Sequence, residues 1–129
     1  MEYTKVALRG ETNRAALAPK AKVENLGVVT TAAVNYEITK GETENANTTQ
    51  KFGIFMLQSL VQFNKGNWGQ TAEGDKEMND YDLAELKQGR QGRVLAKYEH
   101  EDYRSIFITR SIVDEQGTQM LTVMFTDEY

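Results

Sequence analysis

Between Lys51 and Asn64 the chain is apolar almost all the way round a helix. Lys51, Gln58, Gln62 and Lys65 recur at spacings of seven, four and three, which traces one narrow polar stripe at the helical period. Phe52, Ile54, Phe55, Met56, Leu57, Leu60, Val61 and Phe63 fill most of the remaining circumference. A helix of this kind needs cover on several sides, from the sheet, another helix or a second subunit, and is expected to be the core helix. A membrane-surface helix would need a strongly basic polar face, which two lysines do not supply.

The pattern elsewhere is weaker. Tyr3 to Leu8 is the only strand-like piece before residue 22, so residues 1–21 are expected to be a basic arm, disordered or forming a short edge strand. Leu26, Val28 and Val29 predict a short strand, and Thr30 or Thr31 can cap a helix carrying Ala32, Ala33, Tyr36 and Ile38. Strand competes with helix there because of the β-branched content. Gly41 to Gln50 is polar and predicts a loop. Gly66-Asn67-Trp68-Gly69 breaks the core helix, and Thr71 or Glu73 opens a second, acidic helix through Leu86, with Met78, Tyr81, Ala84 and Leu86 inward.

After Gly92 the period changes to two. Arg93–Glu99, Arg104–Val113 and Gln119–Phe125 read as strands joined by the turns His100-Glu101-Asp102 and Asp114-Glu115-Gln116-Gly117. Short turns imply an antiparallel meander. The predicted fold is therefore α+β: two or three helices on one face of a three-stranded antiparallel meander, in a single globular domain over residues 22–129. Within Gly66–Asp80, Trp68 is expected to be structural, packed between the core helix and the meander. Asp75 and Asn79 are expected to satisfy backbone N–H groups at the turn or at the start of the next helix.

Composition narrows the chemistry. With 129 residues and a formal charge of −4, the chain has no global attraction to nucleic acid. The charge is uneven: residues 1–22 carry five bases and two acids, and the remainder ten bases and seventeen acids. A basic arm on an acidic body could meet a phosphate backbone or an acidic partner. Cysteine is absent and His100 is the only histidine, which removes disulfides, thiolate zinc sites and a cysteine nucleophile. His100 sits in a charged turn, with no serine in a G-x-S-x-G elbow to partner it. Transition-metal sites are disfavoured on the same ground.

The acidic run Glu73, Asp75, Glu77, Asp80, Asp82, Glu85 fails as a calcium loop. Started at Asp75, it puts Asp80 where a glycine is needed and Leu86 where a bidentate acid is needed. A solvated helix face is the simpler reading, with Glu73 and Asp75 favourable near a helix N-terminus. Lys87, Arg90 and Arg93 surround Gly89 and Gly92 without a Walker or G-x-G-x-x-G motif. No cofactor and no metal are expected, and no apolar run approaches the ~20 residues that span a bilayer. The N-terminus lacks the apolar core of a signal peptide, so a cytoplasmic location is expected.

Several blocks carry a resemblance. Leu26-Gly27-Val28-Val29-Thr30-Thr31, Asn67-Trp68-Gly69-Gln70, Glu73-Gly74-Asp75-Lys76-Glu77-Met78-Asn79-Asp80, Arg93-Val94-Leu95-Ala96-Lys97-Tyr98, Ile106-Phe107-Ile108-Thr109-Arg110 and the terminal Leu121–Tyr129 occur in that order. They are similar to segments of a family of small proteins encoded on bacterial plasmids and integrated elements, without an established biochemical activity. In that family an acid follows W-G, where this chain has Gln70, and another follows I-I-T, where it has Arg110. Any charge constellation the family uses is altered here.

A methyltransferase reading fails, since that chemistry needs a nucleotide fold and a D/N-P-P-Y/F motif, and the chain has one proline. The resemblance implies a non-enzymatic accessory protein of a mobile genetic element that binds a macromolecule, inhibition of a host defence nuclease being one form. The alternative is a small nucleic-acid-binding module using the arm and the Lys87–Arg93 loop. Candidate binding residues are Trp68, Asp75, Asp80, Lys87, Arg90, Arg93 and Arg110. A protein partner is expected, nucleic acid and a homodimer are alternatives, and no membrane is involved.

Overall fold

The computed structural model describes residues 3–7, 26–40 and 46–129. The basic residues of the arm beyond Ala7, and the first half of the expected loop at 41–45, lie outside them. The elements are β1 (Tyr3–Ala7), β2 (Gly27–Thr31), α1 (Ala32–Thr39), α2 (Ala46–Asn64), α3 (Glu73–Lys87), β3 (Arg93–His100), β4 (Tyr103–Ile112) and β5 (Gln119–Phe125). A short 3-10 turn, Thr126–Glu128, follows β5.

The α+β class and the antiparallel β3–β4–β5 meander are present, but the sheet is larger than three strands and is mixed. Its order is β1-β2-β5-β4-β3. β2 runs parallel to β5, with Val28 beside Leu121 and Thr30 beside Val123, and β1 pairs antiparallel with β2 at the edge. A parallel neighbour needs a long crossover, and here α1, α2, α3 and two strands intervene between β2 and β5. No local turn announces such a pairing, so the pattern along the chain does not reveal it.

Thr31 ends β2 and caps α1: its hydroxyl accepts the Val34 N–H at 3.3 Å and donates to Glu128 Oε2 at 2.8 Å. Glu128 also accepts the Phe125 N–H at 2.8 Å, which ties the terminal turn to the start of α1. α2 begins at Ala46, five residues earlier than its apolar pattern and inside the expected loop. Extending a helix already held by packing costs little per residue, so a polar first turn can be added to it.

Two layers form the core. One sheet face carries Val28, Val94, Ala96, Tyr98, Ile106, Ile108, Leu121, Val123 and Phe125, and Phe52, Phe55, Met56, Leu60 and Phe63 of α2 pack with it. The rings of Phe52 and Phe125 lie 5.7 Å apart. α2 ends in a paired C-terminal turn: Gly66, at φ 78°, donates to the Phe63 carbonyl and Asn67 to that of Gln62.

Candidate functional site

The segment from Trp68 to Asp80 closes the outer edge of β3. An edge strand presents a row of unpaired N–H and C=O groups that invites association unless it is covered. Here Gln70 N–H donates to the Lys97 carbonyl at 2.8 Å, and Lys97 N–H donates to Thr71 Oγ1 at 2.9 Å. Glu99 N–H reaches Gln70 Oε1 at 2.8 Å. The Asn79 side chain acts as one more residue of a sheet, donating to the Leu95 carbonyl at 2.9 Å and accepting the Leu95 N–H at 3.2 Å.

Gly69 makes this approach possible. It sits at φ +59°, and a Cβ there would fall 2.5 Å from the Tyr98 ring and 2.6 Å from the Lys97 carbonyl oxygen. Trp68 anchors the segment from below. It is 3 % exposed, its ring meets Phe63 edge-on at 5.3 Å, and its indole N–H donates to Asp80 Oδ1 at 2.9 Å. Tyr98 adds a hydrogen bond to the Asn67 carbonyl at 2.6 Å, and burial pushes its phenol well above the ordinary range.

This sealing fixes α3 with one side against the sheet edge and the other in solvent. The buried residues of α3 are Asn79 and Leu86, with Leu83 packed on the core. Met78 and Tyr81, expected to face inward, are instead 58 % and 63 % exposed, and Ala84 is exposed too. Leu86 is buried as expected, but higher up the helix the inward position belongs to Asn79, whose polar side chain bonds the backbone of β3. Met78 and Tyr81, on other sides of the helix, are therefore left in solvent. The solvent side of α3 carries Glu73, Glu77 and Tyr81, with Asp75 and Met78 on the flank that borders the outer face of the sheet.

Between α3 and the outer face of the sheet lies an open groove of about 600 Å³. Asp75, Met78 and Asp82 form its helix wall, Arg93, Leu95, Lys97 and Phe107 its floor, and Tyr129 stands at one side. Tyr129 packs edge-on against Phe107 at 5.4 Å, and the Arg93 guanidinium lies 5.0 Å from its ring centre. The groove thus has a carboxylate wall and a basic, partly aromatic floor, which suits polar–apolar recognition of a surface. No cluster of three or more histidine, aspartate or glutamate side chains able to hold a metal ion occurs among the described residues.

The seven residues singled out from the sequence do not form one site. Asp75 and Arg93 share the groove. Trp68 and Arg110 are interior residues, 3 % and 6 % exposed, and neither side chain is presented to solvent. Arg110 Nε donates to Gln119 Oε1 at 2.9 Å, and Gln119 in turn donates to the Leu86 carbonyl at 2.6 Å, tying α3 to β4 and β5. Asp80 is exposed but holds the Trp68 indole.

The Lys87–Arg93 loop is likewise dispersed. Arg90 pairs with Glu85 at 2.6 Å, and that hydrogen bond lowers the Glu85 pKa and raises that of Arg90. Arg93 lies over Tyr129, and Lys87 stands exposed at the end of α3. Asp75 does not satisfy a turn N–H as expected; Asn79 does bond backbone, though that of β3 rather than of its own helix. Thr71 and Gln70 are not among those seven residues, although a hydroxyl and an amide directly after W-G are what covering a strand edge requires.

No family model matches the chain, and no curated protein or solved structure matches it either. No helix of the described residues is long and apolar enough to cross a membrane.

Proposed function

We propose that this protein is a non-enzymatic accessory protein of a mobile genetic element that binds a partner protein, blockade of a host defence nuclease being the concrete form. One observation carries the reading. α3 is held rigidly along the sheet edge by Asn79, Trp68 and Arg110–Gln119, yet its outer face leaves Met78 and Tyr81 exposed among carboxylates. A fixed helix with apolar contacts inside an acidic rim suits a basic protein surface such as a nucleic-acid groove. The net charge of −4 is modest, so shape and the two apolar side chains supply much of the recognition.

The nucleic-acid alternative receives less support. Counterion release needs several free cations on one surface. Among the described residues Arg90 is paired with Glu85, and Asp75 and Asp82 line the same groove as Arg93 and Lys97. The arm's bases beyond Ala7 lie outside those residues. The mobile-element setting rests on the resemblance of the W-G, D-K-x-x-N-D and terminal blocks.

The test places a photo-crosslinking amino acid at Tyr81, and for control at Gln116 in the β4–β5 turn, in cells exposed to a restriction or other defence system. Adducts to a basic nuclease at Tyr81 and not at Gln116 are expected. Adducts to nucleic acid, or equal labelling at both positions, would overturn the reading.

A further inference from the structure

The turn after β5 carries one side of the groove and has few contacts that could fix it by burial. None of Thr126, Asp127 and Glu128 is buried, and Tyr129, whose ring stands beside Phe107 and Arg93, is 62 % exposed. The Tyr129 N–H reaches the Thr126 carbonyl only at 3.5 Å. A segment with so little buried apolar surface belongs to the part of a fold that opens most easily. Polar contacts must therefore hold it.

Two carboxylates could do so. Asp127 meets Arg104 through both oxygens, at 2.9 and 3.0 Å, but both side chains are more than half exposed, and such a pair contributes little. Glu128 is half-buried, and its Oε2 accepts the Thr31 hydroxyl and the Phe125 N–H, each at 2.8 Å. Hydrogen bonds to an ionised acceptor are roughly twice as strong as neutral ones. β2 and β5 run parallel with Thr30 beside Val123, so Thr31 and the turn leave the sheet at the same end and one side chain bridges them.

We propose that the segment from Thr126 to Tyr129 is a strap latched to Thr31 by Glu128, and that unlatching it takes Tyr129 off Arg93 and widens the groove. Arg93 lines both the groove and a second depression of about 400 Å³ on the same sheet face, with Thr109, Ser111, Met120 and Thr122. With Tyr129 in place the Arg93 side chain is fixed at their boundary. With the strap open the two join into one tract across β3, β4 and β5. Glu128 is thus a positioning residue for the groove, acting from the β2–α1 junction through Tyr129. Because Thr31 also caps α1, a displacement of the first turn of α1 loosens the strap.

NMR on the 129-residue chain tests the latch. In the unaltered protein the Tyr129 ring should shift the Arg93 side-chain protons upfield and give Overhauser contacts to them and to Phe107. Glu128→Ala should abolish both signals. Glu128→Gln, which keeps an acceptor oxygen, should retain most of the shift, and Asp127→Ala nearly all of it. The Leu95 amide, bonded to Asn79 at the opposite wall, should exchange at the same rate in all three variants, which separates release of the strap from loss of the fold. Should Glu128→Ala not fold, Thr31→Val should reduce the same shift while Thr31→Ser preserves it. An Arg93 shift that survives Glu128→Ala or Thr31→Val in the folded protein, an equal loss in Asp127→Ala, or faster Leu95 exchange alongside the lost shift would each overturn the proposal.

Discussion

α2 and α3 are both secured to the same sheet, but by different forces. α2 is fixed by volume: Phe52, Phe55, Leu60 and Phe63 fill the space above the sheet, and burial of such side chains contributes roughly 1.5–3 kcal/mol each. α3 buries only Leu86 and part of Leu83 among its apolar side chains and is fixed by direction as well. Asn79 reproduces the geometry of a strand neighbour against Leu95, and Gln119 anchors the Leu86 carbonyl from beneath. The first mode tolerates many apolar residues and leaves spare ones outside. The second depends on a few polar atoms at fixed positions and leaves the outer face of its helix free for other use.

That contrast predicts a hierarchy of mutational effects. Trp68→Ala should have the largest effect, a loss of about 3–5 kcal/mol in unfolding free energy, because it empties the space beneath the edge seal. Leu60→Ala in α2 should cost about 2–5 kcal/mol by the same cavity mechanism, measured by urea denaturation. Asn79→Leu is the sharper probe of α3. Despite added hydrophobicity it should destabilise by about 1–3 kcal/mol, since the Leu95 N–H and C=O lose their partner. If Asn79→Leu were neutral, α3 would be held by apolar packing like α2, and the distinction would fail. Leu57→Ser, on the exposed side of α2, should change stability by no more than about 0.5 kcal/mol.

The smallest effect concerns pH. Hydrogen bonds from Thr118, side chain and then backbone, hold Asp114 below the usual carboxylate range, helped by the Gln116 and Gly117 N–H groups. Its folded pKa is the lower one, so its contribution is present above the unfolded carboxylate pKa and disappears as pH falls through the folded value. Acid titration followed by NMR should move the Thr118 and Gln116 amides together at that lowered pH, with the α3 seal unaffected. Loss of the α3 seal in the same step would show that the β4–β5 turn and the edge cover are one unit.

The meander, the Thr31 cap and the core character of α2 are legible in the sequence because each rests on a local period or a capping residue. Three features are not. The parallel β2–β5 pairing joins segments about ninety residues apart, and no local signal encodes it. The inner face of α3 is read correctly at Leu86 and misread at Met78, Tyr81 and Ala84, because apolar residues usually mark burial, whereas here Asn79 takes the inward position. Arg110 reads as a surface charge, yet β4 carries it onto the helix-bearing face beside Gln119. Of the candidate site, Asp75 and Arg93 could be found from charge alone, but their meeting across a groove depends on α3 lying along β3.

The most direct test of the account is amide hydrogen exchange at the β3 edge in the 129-residue chain. Leu95 and Lys97 belong to an outermost strand, yet their N–H groups are bonded to Asn79 and Thr71. Both amides should be protected, and Asn79→Ala should accelerate exchange at Leu95 strongly while leaving Ile108, in the sheet interior, nearly unchanged. Fast exchange at Leu95 in the unaltered protein, or equal acceleration at Leu95 and Ile108 in the variant, would contradict the claim that α3 seals the sheet through Asn79.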